Sequence, residues 1–257
     1  PPDAAVCHLA AALGCPPPVA ALLWNRGLRE PLAAQRYLRP LLKTLGDPFL
    51  LPGMEAAVEA LTGAIDSGQR IVLYGDYDVD GVTSLAILTR LLRAYGAEVA
   101  TFLPDRMEEG YGLTPAGVDR CVRETAPGLL VALDCGTASP WEVAWLKAQG
   151  VGCVIVDHHE PQEELPRCLA LINPKLPAEP EPDGNDPGLP SPDYRYLCTA
   201  GLVFKVCHAL LKRRPLEGFD LRESLDLVAI GTEADLVPMV EENRVLVTHG
   251  LNQIARL

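Results

Sequence analysis

The chain has 257 residues, with 22 basic and 34 acidic side chains and a formal net charge of −12 at pH 7. Its length calls for one large domain with helical additions or for two small ones, and 48% apolar with 22% charged residues describes an ordinary globular protein. The negative excess excludes whole-molecule electrostatic adhesion to nucleic acid or an anionic membrane, and 5% aromatic content speaks against rows of stacked bases. A local basic groove, or acids gathered to hold metal ions, stays open.

Residues 1–70 read as helices. DAAVCHLAAAL, PPVAALLWNRG and REPLAAQRYLRPLL carry apolar residues at three- and four-residue spacing, with Pro and Gly between them. MEAAVEALTGAIDSG is a further amphipathic helix that ends at Gly68. From residue 71 to 172 short aliphatic runs alternate with longer amphipathic stretches. IVLYGD, EVATFLPD, LLVALDCG, GCVIVDHH and CLALINP read as strands, and VTSLAILTRLLRAYG, TPAGVDRCVRETAPG and PWEVAWLKAQG read as helices between them. Continuous apolar strands imply burial on both faces, so the expected fold is α/β, a parallel doubly wound sheet flanked by helices. Thr114 followed by Pro115 is a capped helix start.

The segment 177–193, PAEPEPDGNDPGLPSPD, has almost nothing to bury and reads as an exposed loop. Helical texture returns in LCTAGLVFKVCHALLKRR, in DLRESLDLVAIGTEADLV and in the last fifteen residues. The expected organisation is therefore a helical region over 1–70 packed on an α/β domain over 71–257. Eight cysteines are scattered without a CxxC or CxxH pair, and several sit in apolar runs as buried reduced thiols do. A cytoplasmic location is the expectation. No run of 18 apolar residues exists to span a membrane. Pro1 is not an initiator methionine, which points to a processed or trimmed start.

Three of the strands end in carboxylates. Asp76, Asp78 and Asp80 follow the first, Asp134 ends another, and Asp157, His158 and His159 end a third. In an open α/β sheet such strand ends line one crevice. Like charges this close need protons or cations, and mixed carboxylate and imidazole donors suit two Mn²⁺ or Mg²⁺ ions bridged by a shared Asp. For any single Asp the plain alternative is a helix N-cap or a solvated turn, and for the His pair a structural role. Three loaded strand ends in one chain favour the metal site. DYDVDG also opens an EF-hand loop, but Ile87 stands where the bidentate Glu is needed, and the segment follows a strand. DVDGVT is likewise close to the aspartyl-phosphate phosphatase motif, which has no use for a DHH strand end.

Taken in order, NRGL around Arg26, GDYDVDGVTS at 75–84, PDRMEEGYGL at 104–113, LDCG at 133–136, VDHH at 156–159, INP at 172–174, LCTAGLVFK at 197–205 and GTEADLVPM at 231–239 resemble the DHH phosphoesterase superfamily. Within it they resemble the RecJ-type exonucleases, which digest single-stranded DNA in the 5′→3′ direction. The resemblance implies metal ligands at Asp76, Asp78, Asp80, Asp134, His158, His159 and Asp235, with Asp134 bridging two ions. Of these, Asp78, Asp80, Asp134, His158, His159 and Asp235 are expected to carry catalysis. Asp157 is expected behind the ligands, holding an imidazole in its ligating tautomer. Arg106 is a candidate phosphate contact, the alternative being an ion pair with Glu108 or Glu109.

The resemblance further implies two-metal phosphodiester hydrolysis in DNA repair and recombination, a single-stranded DNA substrate, a single-stranded-DNA-binding protein as partner, and a monomer. Arg90, Arg93, Arg120, Arg123 and Lys212-Arg213-Arg214 are candidates for holding DNA, or else solvated helix faces. The chain departs from the family in Asp105 for the usual Asn and in Glu233 for a small aliphatic residue. It also stops at Leu257, before the DHHA1-type and oligonucleotide-binding domains that RecJ-type proteins carry, so it reads as their N-terminal catalytic part. Two other readings are a phosphoesterase for short oligonucleotides, cyclic dinucleotides or pyrophosphate, and a non-catalytic scaffold on the same fold.

Overall fold

A computed structural model describes residues 3–177 and 194–256. Apart from Pro177, the segment read as an exposed loop lies outside the described residues. The chain divides into two compact units, Pro1–Leu45 and Gly46–Leu257. The first holds three helices, α1 (Asp3–Leu13), α2 (Pro17–Asn25) and α3 (Pro31–Leu38). Pro17 and Pro31 each open a helix at its first position, where the missing N–H is no loss. Val6, Leu9, Ala20, Leu23 and Ala34 form a small core of this unit's own. The NRGL segment ends α2, with Arg26 at its C-cap.

The second unit opens with a short 3₁₀ turn (Pro48–Leu50) and then α4 (Met54–Asp66), which packs on the sheet's last strand and on the helix that follows the sheet. The helical region drawn from sequence texture as 1–70 is thus shared between the two units. The five strands are β1 (Ile71–Gly75), β2 (Val99–Phe102), β3 (Leu129–Leu133), β4 (Gly152–Val156) and β5 (Ala170–Ile172). They pair in parallel in the order β2-β1-β3-β4-β5. The crossover helices are α5 (Val79–Ala94), α6 (Pro115–Thr125) and α7 (Pro140–Ala148), and α8 (Thr199–Arg213), α9 (Leu225–Ala234) and α10 (Glu241–Ile254) follow the sheet.

The expected doubly wound architecture is therefore present, and β1 and β3 are buried along their whole length. Val72, Tyr74, Leu130, Ala132, Cys153 and Ile155 share one sheet face with α6 and α7. The alternate residues face the other way, where α4, α5 and α8 meet the strands. Helix α6 starts as expected, the Thr114 hydroxyl accepting from Gly117 N at 3.1 Å. All eight cysteines are free thiols. Among the described residues no single helix is long and apolar enough to cross a membrane.

One buried ion pair ties the helical layer together. Lys205 on α8 is fully buried, and its Nζ donates to Glu242 Oε1 at 2.9 Å and to the Gly46 carbonyl at 2.7 Å. The same Glu242 oxygen accepts from Gly46 N. Three distant chain segments thus meet at one charge pair, and removing a single partner leaves the other buried and uncompensated. Lys205→Met is expected to lower stability by about 3–5 kcal/mol in urea denaturation, with Lys205→Met/Glu242→Leu recovering most of the loss.

Candidate metal centre

The strand register assembles the site. Gly75 pairs with Leu133 and Leu133 with Val156, so the next residues, Asp76, Asp134 and Asp157, stand side by side at the C-terminal edge of three adjacent strands. That edge contains the point between β1 and β3 where the winding reverses, the usual ligand crevice of such sheets. Asp134 N donates to the Val156 carbonyl at 3.0 Å, fastening the β3 and β4 ends together. Asp134 adopts φ = 65°, a left-handed conformation that costs a non-glycine residue about 1–3 kcal/mol.

Helices bring in the rest. Asp78 caps α5, accepting from Gly81 N at 2.9 Å, so the plain capping alternative holds for it alongside its place in the cluster. Gly81 is required here, because a Cβ would lie 2.4 Å from the Asp76 carbonyl oxygen. Asp80, in the first turn of α5, accepts from Thr199 N at 2.7 Å and Ala200 N at 2.8 Å, the free amides at the start of α8. Asp235 closes α9 at its C-cap. Gly231 lets α9 come this near, since a Cβ there would stand 2.6 Å from Thr83 Oγ1 and 3.1 Å from Asp80 Oδ1.

Three groups of donor atoms result, each with its members within 4.8 Å of one another: Asp134, His158 and His159; Asp80, His158 and Asp235; Asp76, Asp78 and Asp134. Together they comprise all seven residues expected as ligands, with Asp134 and His158 each in two groups. His158 Nε2 lies 3.4 Å from Asp134 Oδ1, 3.5 Å from Asp235 Oδ2 and 3.9 Å from Asp80 Oδ2. Two of these separations are at the limit of a hydrogen bond or at its edge, and the third is beyond it. They are of the order that separates neighbouring donors around one ion, roughly 3 Å or somewhat more for bonds of about 2.1 Å.

Asp76 Oδ2, His158 Nε2 and Asp235 Oδ2 are buried without a hydrogen-bond partner. Buried polar atoms left this way are costly, and each of these three residues belongs to a donor group that could hold an ion. The donor set therefore fits Mn²⁺ or Mg²⁺.

Asp157 differs from the other buried acids. Its Oδ1 accepts from His158 N, His159 N and His159 Nδ1, the last at 2.7 Å, and its Oδ2 accepts from Thr137 N at 2.9 Å. Burial pushes its carboxyl up, but these bonds outweigh it and hold the group below the usual carboxylate range. The His159 imidazole is correspondingly raised to about 9 by its bond to Asp157. Its Nε2 is left pointing into the site, where the Tyr111 hydroxyl stands 3.0 Å away. Asp76, Asp80 and Asp235 are all raised, chiefly by burial. Asp134 is pushed up to about 10, by burial first and then by the charges of Asp80 and Asp78.

Arg106 lies at the rim with its guanidinium 5.0 Å above the Tyr77 ring, and Tyr77 meets Tyr111 edge-on at 6.1 Å. The anticipated alternative pairing with Glu108 or Glu109 is absent among the described residues; Glu109 pairs with Arg120 at 2.7 Å. Asp105 accepts from Met107 N and Glu108 N and so pins the turn that carries Arg106. Glu233 is exposed. Of the proposed DNA-holding cations, Arg90, Arg120, Arg123, Lys212, Arg213 and Arg214 each sit in an ion pair with a carboxylate. Sequence reasoning did not single out Thr199 or Tyr111. Both contacts join residues far apart in sequence, and each side chain is unremarkable within its own segment.

A parallel sheet carrying Asp, Asp-His-His and a helix-borne Asp at one edge defines a DHH-type phosphoesterase domain. The chain belongs to the DHH family, whose N-terminal domain model matches residues 70–232. It is 38% identical over 240 residues to the single-stranded-DNA-specific exonuclease RecJ of Bacillus subtilis, covering 93% of this chain and 28% of that protein. The crystal structure of Thermus thermophilus RecJ in complex with Mn²⁺ matches all of this chain and 34% of that one, at 34% identity and a TM-score of 0.76. The Mg²⁺ complex of the same protein matches with a TM-score of 0.65 at 29% identity, over 100% of this chain and 30% of that one. The chain thus spans about a third of the length of these relatives.

The raised Asp134 and His159 set a pH dependence. Both hold a proton in the folded, metal-free chain that the unfolded chain has released, Asp134 above about 4 and His159 above about 6.5. Their contribution to stability is therefore lost as pH rises toward about 10 and 9. In EDTA the Tm is expected to fall between pH 6.5 and 9. Saturating Mn²⁺ should reduce or reverse that slope, as followed by circular dichroism melts.

Proposed function

We propose that this chain is the metal-binding catalytic part of a RecJ-like 5′→3′ single-stranded DNA exonuclease that acts in DNA repair and recombination. The observation that carries the proposal is that three buried donors, on Asp76, His158 and Asp235, lack partners, that each belongs to one of the donor groups, and that Asp134 is shared between two of those groups. Asp76, Asp78, Asp80, Asp134, His158, His159 and Asp235 are the proposed ligands. The names and bound ions of the RecJ relatives support the same reading for substrate and metal. Two divalent ions held there supply charge neutralisation on the phosphoryl oxygens and acidify the attacking water.

The chain's own groups do the rest. Asp157 fixes the His159 ring so that Nδ1 is spent and Nε2 faces inward. The α8 amides hold the Asp80 carboxyl in place while each of its oxygens keeps a lone pair for an ion. Arg106, free of any carboxylate partner among the described residues, is the proposed contact for a substrate phosphate. The crevice at the C-terminal edge of the sheet suits one strand presented at its end. Eight free thiols support a reducing cytoplasm as the compartment, and the chain is proposed to act as a monomer, with a single-stranded-DNA-binding protein as partner.

Asp80→Ala or His159→Ala is expected to lower Mn²⁺-dependent release of nucleotides from 5′-labelled single-stranded DNA by about 10²-fold or more, with the circular dichroism spectrum unchanged. Wild-type activity in either variant would overturn the assignment. Cyclic dinucleotides and pyrophosphate, run beside the DNA, separate this reading from the small-substrate one.

A further inference from the structure

Thr199 occupies the first position of α8 and is fully buried. Its hydroxyl donates to Asp134 Oδ1 at 2.8 Å, across 65 residues of sequence, and this is the only side-chain hydrogen bond to Asp134 among the described residues. A Thr at a helix start ordinarily turns its oxygen back to the helix's own amides. Here that local duty has passed to Asp80, which accepts from Thr199 N and Ala200 N, while the N-cap Cys198 makes no capping bond of its own. The hydroxyl proton is thereby free to be spent on Asp134.

What it does there follows from the position of Asp134. The backbone at φ = 65° fixes where the side chain leaves the strand end, but not the rotation of the carboxylate plane. That plane decides what each oxygen can reach: Oδ1, which takes the Thr199 hydroxyl, lies 3.4 Å from His158 Nε2, and Asp134 belongs both to the group with His158 and His159 and to the group with Asp76 and Asp78. A single donor held by a β-branched side chain, whose χ1 is stiff, locks the rotation. Helix α8 cannot drift from this setting, because Lys205 anchors it to Glu242 and Gly46 at 2.9 and 2.7 Å.

We infer that Thr199 is a positioning residue that orients the Asp134 carboxylate to bridge the two halves of the metal centre. The inference rests on the two-ion reading above. Thr199→Val keeps the shape and removes the donor, and Thr199→Ser keeps the donor. Calorimetric titration with Mn²⁺, electron paramagnetic resonance of the loaded protein and thermal melts of the metal-free protein test it on the whole chain. Wild type should take up two ions and show an exchange-coupled signal. Thr199→Val should bind one of the two about tenfold or more weakly and lose the coupled signal, while Thr199→Ser stays within about threefold of wild type in both. Thr199→Ala, expected to behave like Thr199→Val, serves if the valine variant fails to fold.

Two wild-type-like ions with a coupled signal in the valine variant would overturn this inference alone. Equal losses in the serine and valine variants would do the same, since they would mark packing and not the donor. A wild-type chain that binds no Mn²⁺ would overturn both this inference and the two-ion reading on which it rests.

Discussion

Four aspartates, Asp76, Asp80, Asp134 and Asp157, are buried to within 1% of complete exclusion at one edge of one sheet. An isolated carboxylate in such surroundings carries a desolvation penalty of several kcal/mol, so each must be matched by donors, protons or cations. The chain matches two of them itself. Asp157 receives three backbone N–H groups and an imidazole, and Asp80 receives the start of a fifteen-residue helix. Asp76 has one amide on one oxygen, and Asp134 has a single hydroxyl. The carboxylates thus sort into those the polypeptide satisfies and those it leaves for something else, and the unsatisfied ones line the space between His158, Asp235 and Asp78.

The same accounting applies to the cations of this acidic chain and to the polyanionic substrate proposed for it. Six of the cations on its helices are paired with neighbouring carboxylates, so their local net charge is close to zero. Those pairs are largely exposed and individually weak, about 0.2–1 kcal/mol, and none makes a positive stripe. Arg106 is different, because it is held over Tyr77 beside the crevice with no acid among the described residues to neutralise it. Attraction for an anion is therefore concentrated beside the candidate metal centre.

The sheet and the gathering of the strand-end acids were legible because both follow from local rules. Continuous aliphatic runs specify parallel buried strands, and parallel register then sets Asp76, Asp134 and Asp157 side by side without further information. Thr114-Pro115 announced its helix in the same way. Asp235 was reachable only through resemblance, since a helix C-cap has no strand end to mark it. Thr199 and Tyr111 could not be read at all, because contacts across 65 and 48 residues depend on helix placement and not on pattern. The boundary near residue 45 was missed for a related reason: α4 has the amphipathic texture of the preceding helices, and only its packing on β5 and α8 assigns it to the second unit.

A scaffold that merely presented this fold would have no reason to carry such a centre. Asp134 holds a left-handed backbone, three buried donors lack partners, and two glycines are confined to contacts that a methyl group would break. Each feature is a cost to the metal-free fold that a small substitution would relieve. The costs also share a place: each lies at a residue of the donor groups or at a glycine in close contact with one. Cations bound there repay the burial of the carboxylates and use the strained geometry, whereas packing alone repays neither. The arrangement makes physical sense as a centre built to be completed by metal, and the catalytic reading follows from that completion.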